Sequence, residues 1–240
     1  MANIDHFQRL TESISWDNKP LLLSAGVSYG VGLLQYVIAI QLSLRHGKSP
    51  LPFWMHSFYL AHDSAMWYVF SEAAPRYNQH WFMRATSTAM FLWSFMEIWC
   101  IHRAVTKDRK ANFSSVFGPD PPLSSVLGYT FALQAAMYGV IILGFVLFGE
   151  GAFLHWFTLT NALMAIGPTH EYLRRGSREG LSLSFCFITI IGTIFTYAPF
   201  GFWALAVPEI FARPAYYALG IIFVPYTIWC FFIVAQYPPK

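Results

Sequence analysis

The sequence predicts an all-α membrane protein: one domain of seven transmembrane helices, residues 1–240, with a lumenal N-terminus and a cytoplasmic C-terminus. Three observations predict it. Of the 240 residues, 56% are hydrophobic and only 11% charged, where a soluble domain averages about 25% charged. So little charge cannot cover a water-facing surface, and lipid becomes the solvent for most of the chain. Apolar runs of roughly 20 residues, the length of one membrane crossing, recur between short polar connections. Finally, Lys and Arg fall unevenly on alternate connections, as the positive-inside rule requires.

Residues 1–20 are polar and carry Asp5, Glu12 and Asp17. They lack the apolar stretch of a signal peptide and the Arg-rich character of a transit peptide, so the first apolar run is the expected membrane signal and stays in the mature chain. Span one covers about residues 21–44 and closes at Arg45-His46-Gly47-Lys48. Span two, about 51–70, follows Ser49-Pro50, a natural helix start. Span three covers about 85–101 and leads into the most basic connection, 103–110. Residues 112–125, with Gly118-Pro119-Asp120-Pro121-Pro122, read as a loop. Span four, about 126–148, ends at the tight turn Gly149-Glu150-Gly151. Span five covers about 152–172, and span six about 181–207 with Pro199 as a kink or break. Span seven covers about 215–237. No internal repeat or low-complexity segment is visible.

On this layout Arg9, Lys19, Arg76, Arg84 and Arg213 share the side of the N-terminus. Arg45, Lys48, Arg103, Lys107, Arg109, Lys110, Arg174, Arg175, Arg178 and Lys240 lie opposite. Ten against five orients the chain, and the alternation favours an odd number of spans. The net charge of +3 is scattered and implies no nucleic-acid partner. Cys100, Cys186 and Cys230 sit singly in apolar runs, at neither disulfide nor zinc spacing, and are expected to be buried thiols.

An ionisable group near the bilayer centre costs at least about 2.5–3.5 kcal/mol and marks a functional candidate. Asp63 lies some twelve residues into span two, about 18 Å of rise and so near the midplane. Glu97 lies in the later half of span three, nearer the cytoplasmic face. Short connection of the two spans allows both acids to face one cavity. Apolar surroundings disfavour a charged carboxylate, so Asp63 is a candidate general acid; the other role open to it is that of a neutral hydrogen-bond donor between helices. His62 adjoins Asp63, but successive helical residues point about 100° apart and need not pair.

Trp54, Phe58, Trp67 and Tyr68 accompany Asp63, while Trp93, Phe95 and Trp99 surround Glu97. Aromatic faces attract cations through the ring quadrupole, although Trp and Tyr also gather at membrane interfaces in any such protein. The candidate catalytic residues are Asp63 and Glu97. The candidate substrate contacts are His62, Trp67, Trp93, Tyr197 and Tyr226. Arg174, Arg175 and Arg178 read as topology determinants. No His-x-x-x-His, carboxylate cluster, Asp-rich diphosphate–magnesium motif, Gly-x-Ser-x-Gly or phosphate-binding loop is present. No metal or cofactor is therefore expected, and acid–base chemistry on a lipid-soluble molecule is left open.

Two segments carry a resemblance. Phe58-Tyr59-Leu60-Ala61-His62-Asp63-Ser64 is similar to the acid-bearing second helix of the fungal integral-membrane terpene cyclases of meroterpenoid and indole-diterpene pathways. Arg174-Arg175-Gly176-Ser177-Arg178-Glu179-Gly180-Leu181-Ser182-Leu183 resembles that family's approach to span six, and length and loop sizes match along nearly the whole chain. The resemblance implies a metal-independent cyclase that protonates the terminal epoxide of a prenylated aromatic or polyketide, with Asp63 as proton donor. It implies a lipophilic epoxide as the binding partner, beside membrane lipid, and no obligate protein partner. The expected location is the endoplasmic reticulum.

The chain departs from the family pattern in span seven, which has no Asp or Glu where the family carries a second essential acid. Either Glu97 takes that role or the reaction is different, such as the closure of a single ring as in ascochlorin- and ascofuranone-type cyclases. Two other readings fit the same residues. One is a sterol-isomerase-like enzyme using an intramembrane acid with His62 or His56 as base. The other is a seven-span transporter or receptor in which Asp63 couples or supports.

Overall fold

The computed structural model describes residues 5–239; residues 1–4 of the polar N-terminal segment and the terminal Lys240 counted above lie outside them. Among the described residues the fold is all helix, with no strand. A short amphipathic helix, α1 (His6–Ser13), opens the chain, capped by the Asp5 carboxylate, which accepts from the Phe7 and Gln8 N–H groups at 3.0 Å. Such a cap supplies partners for amides that no preceding turn can satisfy. Its buried Phe7 stacks on Phe153 at 4.4 Å and meets Phe70 edge-on, so α1 plugs one end of the bundle.

The long helices follow the apolar runs. They are α2 (Lys19–His46), α3 (Phe53–Arg76), α4 (Trp81–Thr106), α6 (Leu123–Phe148), α7 (Ala152–Arg175), α8 (Leu183–Tyr197) and α11 (Pro214–Gln236). Most overrun the predicted spans by a few residues, because polar ends continue the backbone hydrogen bonding beyond the apolar run. Helix α2 stops at Gly47, whose φ of 67° is the left-handed conformation glycine adopts without a Cβ clash. The predicted break in span six is real: α8 ends where extended Ala198 precedes Pro199, and the chain resumes as α9 (Phe202–Ala206) and α10 (Pro208–Phe211). Gly149–Gly151 forms a 3-10 turn between α6 and α7.

One prediction fails. Residues 109–117, taken partly as loop, form helix α5 (Arg109–Phe117). Tertiary packing decides this: Phe113 is buried and meets Phe53 at 4.8 Å, in a small apolar cluster with Val105 and Val126. The loop proper is the short proline-rich stretch before Leu123.

Helices α3 and α4 pack most closely along their length, α3 also touches α6 and α7, and α8 lies between α2 and α11. Close approach of α2 and α8 depends on Gly192, where a Cβ would stand 2.8 Å from Val31 Cγ1. The distribution of polarity is inverted relative to a soluble protein. Ile221, Val146 and Phe131 project outward at 75%, 74% and 71% exposure, whereas Asp63 and Glu97 lie inside at 4% and 0%. Among the described residues, four stretches are long and apolar enough to cross a membrane: Lys19–His46, Leu123–Arg175, Leu183–Ala206 and Pro214–Gln236. The second comprises α6 and α7 with the turn between them. Helices α3 and α4 are of spanning length but more polar, since they carry the interior acids and histidines.

Candidate active site

Side chains of α2, α3, α4, α7, α8 and α9 surround a cavity of about 120 Å³. Asp63 on α3 lies on its wall. The neighbouring His62 also lines it, and its Nδ1 stands 2.7 Å from Asp63 Oδ1. The backbone directions of the two residues diverge, but the imidazole swings back within hydrogen-bonding distance. Phe58 stacks beside the His62 ring and Phe157 meets it edge-on at 5.2 Å, which fixes the ring plane. His62 Nε2 is buried and has no hydrogen-bond partner among the described residues. A buried polar atom left without a partner costs free energy, which a ligand hydroxyl in the cavity would recover.

The remaining wall is largely aromatic. Trp93 lies between Tyr29 and Tyr36, nearly parallel to both, with centroids 6.1 and 6.3 Å away. Gly32 makes room for it, the site of a Cβ there being 3.3 Å from the indole. Trp203 stacks on Phe157 at 5.5 Å. Tyr59 is held in place by donating to the Thr160 carbonyl at 2.7 Å, and Gln35 donates to Thr189 Oγ1 at 3.1 Å.

Glu97 does not line this cavity. It is fully enclosed; the Tyr36 hydroxyl donates to Oε1 at 2.5 Å, and Oε2 stands 2.6 Å from His56 Nδ1. The Tyr36 hydroxyl also lies beside the Asp63 carboxyl and so links the two acids. The notion that both carboxyls face one cavity is thereby corrected: Tyr36 stands between them, hydrogen-bonded to Glu97, and only Asp63 reaches the open space.

Of the candidate substrate contacts, His62 and Trp93 line the cavity, whereas Trp67, Tyr197 and Tyr226 do not. Trp67 is 41% exposed on the outer face and packs on Phe91. Tyr197 is buried among Tyr216 and Phe223, donating to the Thr158 carbonyl. Tyr226 packs on Trp229 near the outer surface of α11. Tyr197 and Tyr226 sit on spans without a charged residue to set the direction of a side chain. Tyr36 sits within apolar span one with nothing in the sequence to mark it but the adjacent Gln35, a polar residue in mid-span.

The cysteines are buried free thiols, as expected. Arg174 and Arg175 have a structural role beside any topological one: both pair with the buried Glu171, at 2.9 and 3.0 Å, and Arg175 donates to the Ser49 carbonyl. Arg178 donates to the carbonyls of Val234 and Ala235, the last turn of α11. Although the sequence has no metal-ligand spacing, the fold brings ligand atoms of His56, Glu97 and Cys100 within 4.8 Å of one another.

No protein-family model, curated protein or solved structure matches this chain.

Proposed function

We propose that this chain is an integral-membrane terpene cyclase in which a protonated Asp63 opens the terminal epoxide of a prenylated aromatic or polyketide. The observation that carries this reading is a single carboxyl set in an aromatic cavity beside a histidine whose outer nitrogen has no partner among the described residues. In the tautomer with Nδ1 protonated, His62 donates to Asp63 Oδ1, leaving Oδ2 to carry the acid proton and Nε2 to accept a hydroxyl of the substrate.

Transfer of that proton to the epoxide oxygen breaks the C–O bond at the more substituted carbon, whose electron pair leaves with oxygen. The carbon becomes cationic and is captured by an alkene or a hydroxyl, forming the ring and releasing a proton. The faces of Trp93 and Phe157 are suited to a transient cation. A cavity of about 120 Å³ accommodates the epoxide-bearing end rather than a whole substrate, since complete ligand pockets run from about 300 Å³. Seven membrane crossings follow from the reading: α3 and α4 join the more apolar helices because their polar groups turn inward. The positive-inside count then puts the N-terminus in the lumen of the endoplasmic reticulum.

Microsomes bearing Asp63→Asn test the reading directly. The variant is expected to accumulate as the parent does while turnover of an epoxidised prenyl phenol falls by about 10²-fold or more. Retained turnover removes Asp63 as the acid. The unpartnered His62 Nε2 also suits a double-bond isomerase, in which the acid protonates an alkene and the imidazole removes a proton. Conversion of a sterol in place of the epoxide would favour that second reading, and ligand binding or flux without covalent change would favour a transporter or receptor.

A further inference from the structure

The acid chemistry leaves Glu97 unused, yet this carboxyl is fully enclosed and both its oxygens are engaged. Hydrogen bonds lead outward from the cavity through it. The Tyr36 hydroxyl lies beside Asp63 and reaches Glu97 Oε1 at 2.5 Å. Glu97 Oε2 meets His56 Nδ1 at 2.6 Å, and His56 Nε2 meets Ser49 Oγ at 3.1 Å. Ser49 belongs to the α2–α3 connection, where a narrow crevice is lined by Ser49, His56, Arg103, Asp108 and Asn112. Every member is a hydroxyl, carboxyl or imidazole, able both to give and to take a proton. The series runs without interruption from the cavity to the polar end of the bundle.

We infer that Tyr36, Glu97, His56 and Ser49 form a proton path that reloads Asp63 from water at the α2–α3 end after each turnover. The inference rests on Asp63 being the acid. Epoxide opening leaves Asp63 as a carboxylate, while ring closure frees a proton elsewhere on the substrate, at the capturing atom. That proton departs to the water that enters as product leaves. In reloading, Glu97 first takes the Nδ1 proton of His56, which is reprotonated at Nε2 through Ser49 and turns its ring to restore the Nδ1 proton. The neutral Glu97 then gives its proton to Tyr36 as the Tyr36 hydroxyl turns from Glu97 to Asp63 and passes on its own. One proton enters for each that the epoxide consumes. Asp108 supplies an acceptor at the mouth: burial lifts its pKa above the ordinary carboxylate value, against the opposing pull of Arg103.

The test compares the first turnover with steady-state turnover of a farnesyl phenol bearing a terminal epoxide, using the full chain in microsomes. Tyr36→Phe, which removes one oxygen, and His56→Gln are expected to keep the first turnover, because Asp63 starts loaded. Their steady-state rates are expected to fall roughly tenfold or more, and added imidazole should restore His56→Ala. Tyr36→Phe decides the matter if the His56 variants fail to accumulate. An unchanged steady state overturns the path. A first turnover that falls in parallel also overturns it, since Tyr36 and His56 then only position Asp63. Stoichiometric zinc in the active protein would assign His56, Glu97 and Cys100 to a metal instead. Asp63→Asn separates the two ideas: if it retains turnover, the acid reading fails whatever the relay variants do.

Discussion

His62 turns its Nδ1 to within 2.7 Å of Oδ1 of Asp63, its neighbour on the same helix. Two adjacent residues thus act as one unit on the cavity wall, with the imidazole plane fixed between Phe58 and Phe157. Removing the imidazole in His62→Phe leaves Asp63 Oδ1 without its donor in an apolar setting. The expected loss is about 1–3 kcal/mol of stability, read as a lower melting temperature in detergent, together with a fall in turnover. His62→Gln, which keeps a donor, should recover more of the stability than of the turnover.

Two tryptophans, each four residues from one of the acids in sequence, should behave differently. Trp93 is part of the cavity wall and Trp67 faces outward. Trp93→Ala is expected to change the rate or the product distribution of the proposed cyclisation, measured by chromatography of extracts. Trp67→Ala should change neither. Equal effects would show that Trp93 has no special place beside the substrate.

Two glycines of α6 offer a packing test. A Cβ on Gly144 would stand 2.5 Å from the Trp156 ring, whereas none of the neighbours of Gly139 lies within 4 Å of such an atom. Gly144→Ala must displace a buried indole and is expected to cost about 1–3 kcal/mol. Gly139→Ala should be neutral or slightly stabilising, in line with the roughly 1 kcal/mol helix preference for alanine. Thermal unfolding of the two variants in one detergent compares them.

Asp5 makes a pH prediction at the capped end of α1. Burial raises its pKa, but the Tyr77 hydroxyl, the Gln8 and Phe7 N–H groups and Arg76 outweigh that and hold it below the ordinary 3.8. Tyr77, its own pKa pushed up to about 12, remains a donor at all relevant pH. A depressed carboxylate contributes stability above its unfolded pKa and loses it as pH falls through the lower folded value. Asp5→Ala should therefore cost about 1 kcal/mol at neutral pH and flatten the acid side of the stability profile, as followed by proteolysis of the N-terminal segment.

The seven-crossing proposal puts the termini on opposite sides of the membrane. A glycosylation acceptor placed ahead of α1 should be modified in microsomes, and one placed after α11 should not. Modification of both, or of neither, would require an even number of crossings.

The sequence by itself determined that lipid is the solvent, where the long helices run, that Pro199 interrupts the sixth, and that Asp63 and Glu97 are the conspicuous interior acids. These follow from one-dimensional properties: the length of apolar runs, the backbone limits of proline and the cost of a buried charge. The tertiary structure alone decided that His62 serves Asp63, that Tyr36 joins Asp63 to Glu97 and that Trp93 rather than Trp67 faces the cavity. It also made a helix of residues 109–117 by burying Phe113. The physical reason is rotation about the helix axis. A few polar residues mark the inner side of a span only coarsely, so the direction of each side chain is set only when neighbouring helices pack against it.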